Sequence, residues 1–275
     1  MIMRAMSTIQ LLESAAIIGL IPFSLAALTG RLERPVLFWL LWLVATICAC
    51  SVVWQLTSGG WQAGLVANLW VVVGATLLIY ALIAAFDRAA VPLSSLLAPY
   101  LLLLACLAGL AGWFAAPETS AAASLPWFTA HILLAVGSYA LMTITAIAAL
   151  AIVLQERAMK QRRQGWVMRR LPPVAAIEQL QQRLLWLAAI AMGLALASGV
   201  ANEFMDTGHL FVLPHEMAHK VLLSALAFVV ILVFLVLHQA TGLRGRLAAR
   251  WLMTGYLLLT LAYPGVKFVR DVLLG

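Results

Sequence analysis

Leu125–Arg157 reads LPWFTAHILLAVGSYALMTITAIAALAIVLQER, and no Asp, Glu, Lys or Arg occurs in it before Glu156. A helix needs roughly 20 apolar residues to cross about 30 Å of hydrocarbon, and this run exceeds that length. Within lipid, a helix satisfies the backbone donors and acceptors of such a run internally. Comparable runs lie near 7–29, 35–55, 62–86, 92–115, 184–202, 216–239 and 249–270. The sequence therefore predicts an all-α fold, a polytopic membrane helical bundle of about eight transmembrane helices. Composition agrees: 65% of the 275 residues are hydrophobic, 10% are charged, and the mean hydropathy is +1.04.

The lipid bilayer is thus the first partner. A net charge of +7 and a pI near 9.8 would suit nucleic acid in a soluble domain, but here the basic residues serve membrane orientation, and no nucleic acid is expected. Arg31 and Arg34 fall in the first connection, Arg88 in the third, seven Lys and Arg from Arg157 to Arg183 in the fifth, and Arg244, Arg246 and Arg250 in the seventh. Thirteen of the seventeen Lys and Arg thereby share one side, which by the positive-inside rule is the cytoplasm. Both termini are then expected on the outer, periplasmic side of a bacterial inner membrane. Residues 1–28 lack a basic n-region and a small-residue cleavage site and read as a retained first span. Cys48, Cys50 and Cys106 lie in apolar runs without a C-x-x-C spacing and read as buried small side chains.

Two halves are expected, 1–120 with four spans and 121–275 with four more. The second includes a basic cytoplasmic loop at 155–183, where Pro172 and Pro173 are expected to break the chain before a short amphipathic helix at the inner interface. His131 and the four histidines beyond residue 200 concentrate chemistry in this half.

One motif there has a known metal chemistry. His215-Glu216-Met217-Ala218-His219 is an H-E-x-x-H, the pattern with which zinc peptidases place two imidazoles one helical turn apart. A catalytic zinc needs a third protein ligand. His238 lies about 28 Å further along the same helix, and the H-x-x-G-x-x-H continuation is missing. His209, Asp206 or Glu203 would complete at most a surface site, so the solvated start of a helix near Pro214 is the stronger reading and a zinc metallopeptidase the distant alternative.

The Leu125–Arg157 span, with His131 followed by Ser138-Tyr139-Ala140, resembles the histidine-bearing span of the CcsA/CcmC-type cytochrome c assembly family. LPPVAAIEQL at 171–180, HKVLLSALAFVV at 219–230, GLRGR at 242–246 and LAYPGVKFV at 261–269 resemble, in order and spacing, its HemX/YpjD-like branch. The tryptophan-rich signature of the cytochrome-attaching members would precede Lys220, where FMDTGHLFVLPHEMAH contains no Trp. That departure sets the chain beside the HemX/YpjD-like branch. The resemblance implies haem as cofactor, bound or transferred by non-covalent ligation and presentation, with no enzymatic activity and with other membrane or haem-pathway proteins as partners. It also implies His131 as an outer axial ligand and His238 as the histidine at the inner end of the penultimate helix.

The residues themselves extend this picture. His131 lies about 10 Å into its span, with Trp127 one turn earlier on the same face for porphyrin packing. His219 is the candidate second ligand to haem iron. Lys220, Lys267 and Arg270, basic residues outside the cytoplasmic bias, are candidate propionate partners. The alternative is a membrane scaffold or regulator without haem, acting through its basic 157–170 segment, in which His131 hydrogen-bonds to another helix. Glu13, inside the first span, is expected to pair with an outer basic residue.

Overall fold

The computed structural model describes residues 2–58, 64–112, 126–162, 165, 169–207 and 215–269, without the side chains of 2–7, 33, 126, 206–207 and 215–218. Every regular element among the described residues is helical. Seven helices among the described residues are long and apolar enough to cross a membrane. The chain divides into two compact units, 1–123 with 267–275, and 124–266.

In the first unit, α1 (Ile2–Thr29), α2 (Pro35–Thr57), α3 (Leu65–Phe86) and α4 (Ser94–Ala111) pack α1 against α2 and α4, and α3 against α2 and α4. Gly30, at φ 74°, makes the turn after α1, and Pro35 starts α2 at a position where no amide proton is needed. α3 is the most enclosed of the four, carrying the fully buried Leu77, Trp70 and Tyr80. The Tyr80 hydroxyl reaches the carbonyls of Ala90 and Val91 at 3.0 and 3.1 Å, tying down the α3–α4 connection.

Glu13 is 5% exposed, and its Oε1 accepts the indole N–H of Trp70 at 3.2 Å. An outer basic residue is not its hydrogen-bond partner among the described residues. The buried carboxylate instead uses the donor that faces it from α3. This agrees with the cost of leaving a polar group unpaired in hydrocarbon.

In the second unit, α5 (Pro126–Lys160) runs along α6 (Val174–Thr207). α7 (His215–Thr241) packs on α6 and α8, and α8 (Gly245–Thr260) packs on α5. α6 differs from expectation. Nothing between Val174 and Trp186 breaks a helix, so the expected interfacial helix is the first part of one 34-residue helix. Pro172 and Pro173 end the preceding loop, and the Pro172 carbonyl accepts Gln155 Nε2 at 2.8 Å, which ties that loop back to α5.

The eighth expected span also differs. α8 has 16 residues, about 24 Å, and continues into a π-turn at Leu261–Gly265 that contains Pro264. A proline inside a helix removes one amide donor and crowds the preceding turn, and the wider π-turn accommodates this. The α7–α8 connection uses Gly242 and Gly245, both at φ 67°, and the Glu156 carboxylate lies against Gly245 while pairing with Arg246 at 3.3 Å. An acidic group there also suits the N-terminal end of α8.

Replacing Trp70 by Phe is expected to lower stability by about 1–3 kcal/mol, because Glu13 loses its donor. Glu13→Gln, which keeps an acceptor for the indole, should cost less. Thermal unfolding in detergent compares the two, and equal losses would show that the hydrogen bond is not what holds Glu13.

Candidate functional site

His131 sits in the second turn of α5, half-buried, where α5 lies against α6. Its Nδ1 is 2.9 Å from the Ser198 hydroxyl. That hydroxyl donates its one proton to the Ala195 carbonyl, also at 2.9 Å. With the proton there, the hydroxyl oxygen accepts from Nδ1 of the imidazole. That tautomer keeps the lone pair on Nε2, as a metal ligand requires. The ring lies against the backbone of Gly199: a Cβ there would stand 3.0 Å from His131 Cε1.

A cation and a group of tyrosines belong to the same unit. Lys220, in the first turns of α7, is near enough to act electrostatically on His131, and its ammonium lies 5.3 Å from the centre of the Tyr263 ring. The π-turn that follows α8 carries Tyr263, whose ring centre is 5.7 Å from that of Tyr139. Tyr139 stands 5.7 Å from Tyr256 in turn. Hydroxyls link this group: Tyr139 Oη to Thr260 Oγ1 at 3.2 Å, and Thr143 Oγ1 donating to Tyr256 Oη at 3.2 Å. The resulting constellation places an imidazole nitrogen lone pair, an ammonium and aromatic surface in one helical unit.

The other expected site residues are more dispersed. Trp127, in the first turn of α5, is 59% exposed. His219, one residue before Lys220 on α7, is exposed. Lys267 falls in the first unit, and Arg270 lies outside the described residues, as do the side chains of His215 and Glu216. Among the described residues, no three His, Cys, Asp or Glu side chains group as metal ligands.

His238 occupies the far end of the second unit. Its Nδ1 donates to the Leu243 carbonyl at 2.6 Å, so here too Nε2 keeps its lone pair. It lines a cavity of about 130 Å³ with Gln181, Glu178, Phe234 and Arg244. Ile152 lines the same cavity and lies about 32 Å along α5 from His131, close to a membrane thickness. The two histidines thus mark opposite ends of the unit.

Sequence reading passed over Ser198, Gly199 and Tyr263. A Ser-Gly pair inside an apolar span, in ALASGV at 195–200, was the available signal for close helix approach. The Tyr-Pro-Gly at 263–265 was the signal for an irregular turn that re-aims an aromatic ring. At Gly137, by contrast, a Cβ would meet nothing within 4 Å, so no close approach requires a glycine there.

Comparison with known proteins decides the family. The family described as cytochrome C assembly protein matches residues 29–274. The chain belongs to this family. It is a multi-pass protein of the bacterial inner membrane, and cytochrome c assembly membership supports a haem-related role there. An uncharacterized 28.8 kDa protein of Azospirillum brasilense is 46% identical over 224 residues, 81% of each chain. The inner membrane protein YpjD of Escherichia coli K12 is 29% identical over 148 residues, 54% of each chain. No solved structure matches.

The hydroxyl links between α5 and α8 have a measurable energy in this cytochrome c assembly protein. Thr143→Val removes the donor to Tyr256 at a fully buried position and is expected to reduce stability by about 0.6–1.7 kcal/mol. Unfolding in detergent checks this, and an unchanged midpoint would mean that Tyr256 finds another partner at no cost.

Proposed function

We propose that the protein binds haem non-covalently, with Nε2 of His131 as an axial ligand, and presents it for transfer at the end of the second unit that carries His131. The observation that carries this reading is the Nδ1 contact with Ser198 on a half-buried histidine, with no hydrogen bond to Nε2 among the described residues. The residues around it fit the group. Gly199 leaves room for the imidazole itself, Tyr263 offers an apolar ring, and Lys220 supplies a cation for a propionate. When bound, haem supplies redox and ligand-exchange chemistry at its iron.

The chain's own residues bind and orient; no covalent step is assigned to them. His219, exposed one residue before Lys220, is the imidazole proposed for a second axial position, and Trp127 shields the exposed start of α5. Lys267 and Arg270 are further proposed partners for anionic groups. His238, at the opposite end, is proposed to meet the same cargo from the side where Arg244, Arg246 and Arg250 lie. The Lys and Arg bias makes that side cytoplasmic and the His131 end periplasmic.

Absorbance tests the proposal directly. Protein purified in detergent from haem-replete cells is expected to show a Soret band, lost in His131→Ala and kept in Trp127→Phe. A colourless wild-type protein would overturn the reading and favour a scaffold that keeps the fold without the cofactor.

A further inference from the structure

Resting on the reading of His131 as a haem ligand, we infer that Ser198 and Gly199 are positioning residues. Together they fix which nitrogen of His131 faces the iron and how the ring is turned. A free imidazole has two neutral tautomers and rotates about two side-chain bonds, so a coordinating histidine needs an external constraint on both. Consecutive residues on α6 supply them.

Ser198 selects the tautomer. With its single proton on the Ala195 carbonyl three residues back on the same helix, it acts toward His131 as an acceptor. The opposite tautomer would require the hydroxyl to turn its proton from the Ala195 carbonyl to Nδ1. Donation from Nδ1 also raises the basicity of Nε2, the outer-sphere effect by which such partners strengthen a metal–imidazole bond.

Gly199 sets the position of the ring. The hypothetical Cβ lies 3.0 Å from Cε1, 3.6 Å from Nδ1 and 3.8 Å from Nε2, so the edge of the imidazole occupies the space that any other residue would fill. Alanine would displace the ring by a few tenths of an ångström and lengthen the Ser198 bond. Neither residue touches the cofactor in this account; both act through His131.

Two measurements on the full-length protein in detergent test the pair. In haem titration of the haem-free protein, Ser198→Ala and Gly199→Ala are each expected to weaken affinity tenfold to a hundredfold. Ser198→Thr, which keeps the hydroxyl, is expected to remain near wild type and excludes general misfolding as the cause. In the haem-free protein labelled with nitrogen-15 histidine, the His131 signals, assigned with His131→Gln, are expected to show the proton on Nδ1. In Ser198→Ala they should show a mixture of tautomers.

Equal haem affinity in wild type, Ser198→Ala and Gly199→Ala would overturn the positioning role, as would a wild-type His131 protonated on Nε2. A wild-type protein that takes up no haem instead overturns the ligand reading, and the nitrogen spectra then decide the Ser198 constraint independently.

Discussion

Polar groups inside hydrocarbon must find partners within the protein, and the positions of the few such groups in this chain follow from that constraint. Glu13 takes the Trp70 indole, Tyr80 takes the carbonyls that begin the next connection, and Thr143 reaches Tyr256 across two helices. Each of these bonds uses both partners and leaves the helices in a fixed register. His131 also obeys the rule, but among the described residues its hydrogen bond to Ser198 satisfies only one ring nitrogen.

This asymmetry separates a packing histidine from a candidate ligand. A residue serving only helix association gains most when all its polar atoms are matched, as with the hydroxyls of Tyr139 and Thr260. His131 instead stands near Lys220 at the α5 end where Tyr263 is delivered by a π-turn. His238 repeats the arrangement at the other end, with Nδ1 held by a backbone carbonyl beside a cavity. Membership of the cytochrome c assembly family gives these two imidazoles a common context.

The membrane fold was legible because hydropathy over twenty residues is a large, additive signal: seven of the expected spans are helices of sufficient length. The eighth was harder, since the end of its apolar run, with Pro264 and Gly265, is a π-turn that hydropathy alone does not distinguish from a helix. The Pro172-Pro173 pair misled in the other direction. It stops the loop before α6, and the polar residues that follow belong to the same helix as the span.

Within the site, His131 and Lys220 stood out because charged and ionisable residues are rare in spans. Ser198 and Gly199 did not, because small residues in membrane helices usually mark packing alone. Glu13 showed the same limit, since its partner is an indole 57 residues away and no charge pattern points to a tryptophan. Tertiary proximity decided each of these cases.

Chemical rescue tests the central claim, that the free nitrogen of His131 ligates haem iron. His131→Gly leaves a space the size of the imidazole, so the variant is expected to bind haem poorly and to regain the Soret band when imidazole is added. A His131→Gly protein that binds haem as tightly as wild type without imidazole would contradict the account.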